Sequence, residues 1–205
     1  MAATLQFSGV NCDRIVGLSF ALAAGEIRVL RAGTKEEKFA VIELAIGERI
    51  AEAGTVALNG APLDAAPHGS LGWVPDNGGL ISNLKTWENV TLPLWYHGKR
   101  RAADTEGRIA EWLARLGLEG EAAERFMASP SGLLTKLERK RAGLLRGLVL
   151  APQVLVVDAA LFDGVAQDIK AAWAAALDAL VRGAEGGSVL VVAEGSAALP
   201  WTNIE

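Results

Sequence analysis

The chain has 205 residues, 51% hydrophobic and 21% charged, with a formal net charge of −4: enough for one domain with a substantial core, and too apolar for a disordered chain. The acidic balance argues against general nucleic-acid affinity, and a single cysteine, Cys12, excludes an internal disulfide framework and suits a reducing compartment. The start MAATLQFSGVNCDRI lacks a basic region followed by a long apolar run, and no apolar run approaches the ~20 residues of a membrane span, so no signal peptide is read and a cytoplasmic location is expected.

Taken in chain order, GLSFALAAGEIRVLRAG reads as two strands around the turn Ala24-Gly25-Glu26, and an apolar helix follows the next few residues. TVALNGAPL is a strand running into the turn dipeptide Asn59-Gly60, and SLGWVP is a short strand stopped by Pro75. From about Thr86 to Leu148 the pattern turns helical. Within it TEGRIAEWLARLGL places Ile109, Trp112, Leu113 and Leu116 on one face, with Gly117 and Gly120 as stops. PQVLVVDAALF and GSVLVVAEG are unbroken apolar strands of the kind buried inside a parallel sheet, separated by the amphipathic helix IKAAWAAALDALVRG. Strands alternating with helices predict an α/β fold with a parallel sheet. The expected division is an α/β core over 1–75 and 150–205 with a helical subdomain inserted over 76–149.

This order of elements resembles the nucleotide-binding domain of ABC transporters over nearly the whole chain. GLSFALAAGEIRVLRAG is similar to the strand pair leading into the Walker A loop, and AEAGTVALNGAPL to the hairpin that follows. LGWVPDNGGLISNLKTWENVTLPLWYHG resembles the Q-loop region, and RKRAGLLRGLVLAPQVLVVD the helix after the signature motif and then Walker B. Arg141, Arg146, Pro152 and Asp158 fall at the family's spacing. The resemblance implies a P-loop NTPase-like fold with a parallel core sheet, a small antiparallel part and an inserted helical subdomain.

The chemistry departs from that pattern. A Walker A loop, G-x-x-x-x-G-K-[ST], needs glycines so that backbone N–H groups can approach the phosphates. The matching window is Ala32-Gly33-Thr34-Lys35-Glu36-Glu37-Lys38-Phe39. Ala32 and Glu37 replace glycines, Phe39 replaces the Mg²⁺-holding hydroxyl, and Lys38 alone remains. Thr34 to Glu37 instead fits a capping box, with Thr34 expected to accept from the Glu37 N–H and Glu37 to reach back to the Thr34 N–H. Glu36 and Glu37 then supply the negative charge that the helix start favours, and would repel ATP. Asp158 keeps the Walker B carboxylate, but Ala159 stands for the catalytic Glu and cannot polarise water. Asp76 replaces the Q-loop Gln, Glu194 the switch His, and Leu134-Thr135-Lys136-Leu137-Glu138 the signature, with Thr135 its only conservative replacement. Asp163 is aligned with the D-loop Asp. The adenine-stacking aromatic falls near Asn11 and Cys12, with only Phe7 close by.

These losses predict no appreciable hydrolysis and no cofactor. Lys38 and Asp158 are read either as an ion pair across an empty site or as vestigial nucleotide ligands. His68 and His97 are expected as surface residues rather than metal ligands, Trp112 and Trp173 as core. Trp87 and Trp95, with Asp76, Glu88 and Asn89, lie where the family receives its permease, so they are read as partner contacts or core. The basic runs HGKRR (97–101) and LERKRAGLLR read as a solvated loop, or one facing lipid headgroups, and an amphipathic helix with a basic face. The resemblance implies a cytoplasmic, membrane-peripheral subunit bound to a permease or a partner ATPase, or a homodimer, and the altered motif positions predict that it has no appreciable ATPase activity. NVTLPLWYHG looks closest to the lipid and lipoprotein branch. The alternatives are an ATP sensor using Lys35, Lys38 and Asp158 with Mg²⁺, and a freestanding protein-sequestering regulator.

Overall fold

A computed structural model describes residues 3–13, 15–98, 105–183, 186–196 and 199–201. The chain runs through β1 (Ala3–Cys12), β2 (Ile15–Ala23), β3 (Ile27–Ala32), α1 (Lys35–Ile46), β4 (Ala53–Leu58), β5 (Ala61–Pro62) and β6 (Leu71–Val74). It continues through α2 (Thr86–Tyr96), α3 (Thr105–Arg115), α4 (Gly120–Ala128), α5 (Lys136–Leu150), β7 (Val154–Asp158), α6 (Gln167–Arg182) and β8 (Ser188–Glu194). Two sheets form. One has the order β3-β8-β7-β6 and is parallel throughout. The other has the order β2-β1-β4-β5 and is antiparallel.

The apolar runs of β7 and β8 lie in the middle of the parallel sheet, as their lack of alternation predicts. Successive side chains of a strand point to opposite faces, and here both faces are covered. Leu155, Val157, Val189 and Val191 enter one core with the helices α2 to α6. Val154, Val156, Leu190 and Val192 enter a second core with α1 and the antiparallel sheet. Helix α1 is thus held between two sheets. Its buried residues Lys38, Ala40, Val41, Ile42, Leu44 and Ala45 spread round the helix rather than forming one stripe. It ends at Gly47, where φ is 79°, a conformation that glycine adopts without a Cβ penalty.

The α/β class is as expected, with three differences in detail. Strand β1 is absent from the predicted elements, although it pairs with both β2 and β4. Gly117, with φ +78°, does close α3, but Gly120 opens α4 instead of ending its predecessor. The expected basic face of α5 is reduced: Lys140 is 2% exposed, while Arg139, Arg141 and Arg146 are each partly covered. Of the run HGKRR, Lys99, Arg100 and Arg101 lie outside the described residues.

Helix α5 approaches the loop after β6 closely enough to exclude any side chain between them. A Cβ added to Gly143 would sit 2.4 Å from the Cα and O of Gly78, and backbone cannot yield as a flexible side chain does. Gly143→Ala should lower the unfolding free energy by about 2–3 kcal/mol, read from the midpoint of a denaturant titration. A loss below about 0.5 kcal/mol would show that the two segments are free to separate.

Candidate functional site

In a parallel sheet, ligands bind beyond the carboxyl ends of the strands. Three strand ends meet there in this chain: Ala32 of β3, Glu194 of β8 and Asp158 of β7. A pocket of about 380 Å³ opens at this edge, lined by Gly33, Lys38, Ala159, Asp163, Glu194 and their neighbours. The fold therefore gathers five of the residues singled out from sequence.

Between β3 and α1 only Gly33 and Thr34 intervene. Lys35, Glu36 and Glu37 already form the first turn of α1, so the connection is shorter than the glycine-rich loop of the Walker A pattern. Thr34 is the N-cap, and its Oγ1 accepts from the Glu37 N–H at 3.2 Å. The carboxylate of Glu37 differs from expectation. It accepts from the Gly33 N–H at 2.8 Å, one residue earlier than the capping-box pattern gives. The protein's own carboxylate thus takes a backbone donor at the helix start, where the dipole favours negative charge. Glu36 stays exposed in the same turn and adds negative charge there.

Lys38 reaches across this helix start to Asp158. Its Nζ donates to both carboxylate oxygens at 2.9 Å, with the two residues 5% and 1% exposed. Asp158 Oδ1 also accepts from the Ala160 N–H at 2.9 Å. An ion pair this buried needs all its donors and acceptors engaged to offset desolvation, and two strong bonds plus a backbone bond supply much of that. Phe39 is 37% exposed, and the Lys38 and Lys35 ammonium groups stand 4.7 and 5.8 Å from its ring centre, close enough for cation–π attraction. Phe39, Glu36 and Glu37 border a separate hollow with Asp13 and Arg49, where Arg49 pairs with Asp13 and Glu43. Phe7 is 1% exposed and stacks on Phe20 at 4.5 Å, so it is core and offers no face to a base. Asn11 accepts the Gly17 N–H through its side chain at 2.6 Å.

The start of α5 repeats the device at the α1 start. Thr135 Oγ1 accepts from the Glu138 N–H at 3.3 Å, and Glu138 Oε2 accepts from the Thr135 N–H at 2.8 Å and from its hydroxyl at 2.7 Å. TKLE shares the T-x-x-E spacing of TKEE, so the cap is legible in the sequence although the signature alignment hides it. These bonds, the side-chain one first, hold the Glu138 carboxyl below its ordinary range.

The remaining candidates disperse. Asp76 is exposed in the loop after β6 and does not line the pocket. Glu88 Oε2 accepts from the Lys85 N–H at the start of α2, and Trp87 packs partly buried against the core. Asn89 cannot be a partner contact. It is 1% exposed, and its amide bonds Ile81 through both ends and the Ser131 hydroxyl at 2.8 Å, tying the 81–85 loop to the 131–133 turn. Trp95, 57% exposed, shares an outer face of α2 with exposed Leu92 and Tyr96. Trp173 is fully buried. His68 and His97, far apart in sequence, stack with ring centres 6.4 Å apart, yet no group of three metal-ligating side chains exists among the described residues. Among those residues, no helix is long and apolar enough to cross a membrane.

The family model described as ABC transporter matches residues 16–161. The chain belongs to the ABC transporter family. Curated relatives include the probable ribonucleotide transport ATP-binding proteins mkl of Mycobacterium tuberculosis and Mycobacterium leprae. Each is 28% identical, over 69% and 67% of this chain respectively and 40% of the relative; the match therefore spans less than half of those proteins. Three solved structures share the fold at 18% identity. An ATP-binding subunit of an ABC transporter covers 93% of this chain and 79% of its own at a TM-score of 0.79. CbiO1 from Clostridium perfringens, part of the complex cbiONQ, covers 95% and 80% at 0.72. The ATP-binding cassette MJ0796, in a dimeric post-hydrolysis state bound to ADP and Pi, covers 92% and 87% at 0.76.

Two outcomes follow from the geometry. Lys38→Met should cost about 3–5 kcal/mol, because it strands the buried Asp158 carboxylate. Lys38→Met combined with Asp158→Asn, which keeps an acceptor for the Ala160 N–H, should recover most of that loss. Chemical denaturation of both variants checks this, and a double variant no more stable than the single one would place the loss elsewhere. At neutral pH, Glu138→Gln should cost about 1 kcal/mol. The folded pKa of Glu138 lies below its ordinary value near 4.5, so its contribution is complete above that value and disappears as pH falls through the folded pKa. The stability difference between wild type and Glu138→Gln should therefore shrink over that acid range, as measured by denaturation at stepped pH.

Proposed function

We propose that this ABC family member is a pseudo-ATPase: an ATP-binding-cassette subunit that retains the fold as a docking component and neither binds nor hydrolyses ATP. The observation that carries the reading is the closed helix start of α1. Glu37 takes the Gly33 N–H, and Lys38, the last basic residue of the phosphate loop, is paired with both carboxylate oxygens of Asp158. A phosphate entering here would meet a carboxylate on the backbone donor and a lysine already neutralised. Ala159 follows Asp158 and provides no base, and Phe39 provides no hydroxyl for Mg²⁺, so the groups that supply most of the rate in phosphoryl transfer are missing together.

The relatives named for ribonucleotide transport and the neighbour from a transporter complex support a place beside an integral-membrane permease, at the cytoplasmic face. In this reading the outer face of α2, with Trp95, Leu92 and Tyr96 exposed, provides the contact, with Glu88 at its start. The capped start of α5 offers a partner ATPase no glycine-rich surface, which favours a partner bound without shared nucleotide, a permease or a second copy.

Thermal unfolding of the purified chain with millimolar ATP and Mg²⁺ tests the reading. A ligand specific for the native state raises stability by RT ln(1 + [L]/Kd), about 2.7 kcal/mol at a hundredfold excess over Kd. No shift in melting temperature and no phosphate release above buffer are expected. A shift of several degrees, or turnover, would overturn the proposal and favour the nucleotide-sensing alternative.

A further inference from the structure

Helix α5 spends two cations on backbone carbonyls. Lys140, 2% exposed, donates through Nζ to the carbonyl oxygens of Ala160, Leu161 and Asp163 at 2.8, 2.9 and 2.9 Å. An ammonium has three protons and no acceptor, so every donor is used, and all three acceptors belong to the single turn that follows β7. Less than two helical turns later, Arg146 donates to the carbonyl oxygens of Gly79 and Gly78 at 2.7 and 3.0 Å. Between these cations lies Gly143, in backbone contact with Gly78. A Cβ on Gly78 would in turn fall 2.1 Å from the carbonyl oxygen of Arg139.

The two loops held this way are the ones leaving the carboxyl ends of β6 and β7. The second carries Ala159, Ala160 and Asp163 into the pocket beside Lys38. Taking an ammonium out of water is costly unless each proton finds an acceptor. Moving the turn by an ångström would strand up to three donors of a buried charge at once, so the turn has one low-energy position relative to α5. Burial lowers the pKa of Lys140, with Lys136 adding to the effect and Asp163, Asp76 and Asp158 opposing it. Arg146 is likewise lowered by burial.

We infer that Lys140 and Arg146 act as a double latch, fixing the loops after β6 and β7 to α5 so that the pocket rim and the helix move as one rigid body. Lys140 is a positioning residue: it bonds only the turn behind the pocket and sets where Ala159 and Asp163 stand. The latch goes beyond the closed-site reading and does not depend on it, since it would hold whether or not ATP binds.

Hydrogen exchange by mass spectrometry on the full chain tests it, with Lys140→Met and Arg146→Met beside wild type. The amides of Ala160, Asp163 and Val165 are bonded within the turn. In Lys140→Met they should exchange at least about tenfold faster, with peptides of β1 and β4 unchanged. Arg146→Met should do the same for the amides of Gly78 and Gly79, bonded to Pro75 and Asn77. Equal acceleration everywhere would reduce the cations to general stability, and an unchanged turn would remove the latch; either overturns the inference. If a variant does not fold, wild type decides. Turn amides that exchange only as slowly as those of α5 support the latch, and turn amides that open independently of α5 overturn it. Because the readout needs no nucleotide, its failure would leave the pseudo-ATPase proposal standing, and the reverse.

Discussion

The buried pair of Lys38 and Asp158 is the contact on which the architecture of the strand-end edge depends. It joins the first turn of α1 to the last residue of β7 through the sheet's carboxyl edge. Neither charge could stay there alone, since an unpaired buried ion costs several kcal/mol. Their mutual need fixes how far α1 can move from the sheet. Asp158 then passes the constraint on: its Oδ1 accepts the Ala160 N–H and so starts the turn that Lys140 completes from α5. One carboxylate therefore couples α1, β7 and, through that turn, α5.

The same logic governs both helix starts at this edge. A helix N-terminus presents free N–H groups and a partial positive charge, and something must satisfy them. At α1 and α5 the protein meets part of that need from within: the N-cap Thr accepts one helix N–H, and the Glu three residues later sets a carboxylate on a backbone N–H at or just before the cap. An internal carboxylate is tethered, so it need not lose translational freedom each time it occupies the site, as a free phosphate must. A dissociable anion has to compete against that advantage as well as against charge repulsion from Glu36.

Much of this was legible in the amino-acid sequence, and the failures have physical reasons. The buried strands β7 and β8 are visible because a strand covered on both faces must be apolar at every position. Thr34 and Glu37 declare their cap through spacing alone. The exact donor was not legible: Glu37 turns to Gly33 because that N–H lies within its reach in the tight connection from β3, a fact of three dimensions. Strand β1 was assigned no element from sequence; its pairing with β2 and β4 absorbs Gly9 and Asn11 through register irregularities that break a simple alternation. Asn89 reads as an exposed polar residue of a partner-binding helix, and only its contacts with Ile81 and Ser131 reveal it as a buried clamp.

Lys140 is the most instructive miss. In a run of Arg and Lys, helical periodicity distinguishes apolar from polar positions and makes every cation look solvated. What it cannot register is a cluster of backbone carbonyls on another element, since each residue of any sequence has one and none is marked. The 3₁₀ turn after β7 aims three of them at one point, and an ammonium at that point satisfies them as a methyl group could not. A lysine in the middle of LERKRAG thus belongs to the interior for the same reason that Lys38 does. Its partners are supplied by the sheet's carboxyl edge, one through a carboxylate and the other through bare backbone, and together the two lysines hold that edge from both sides.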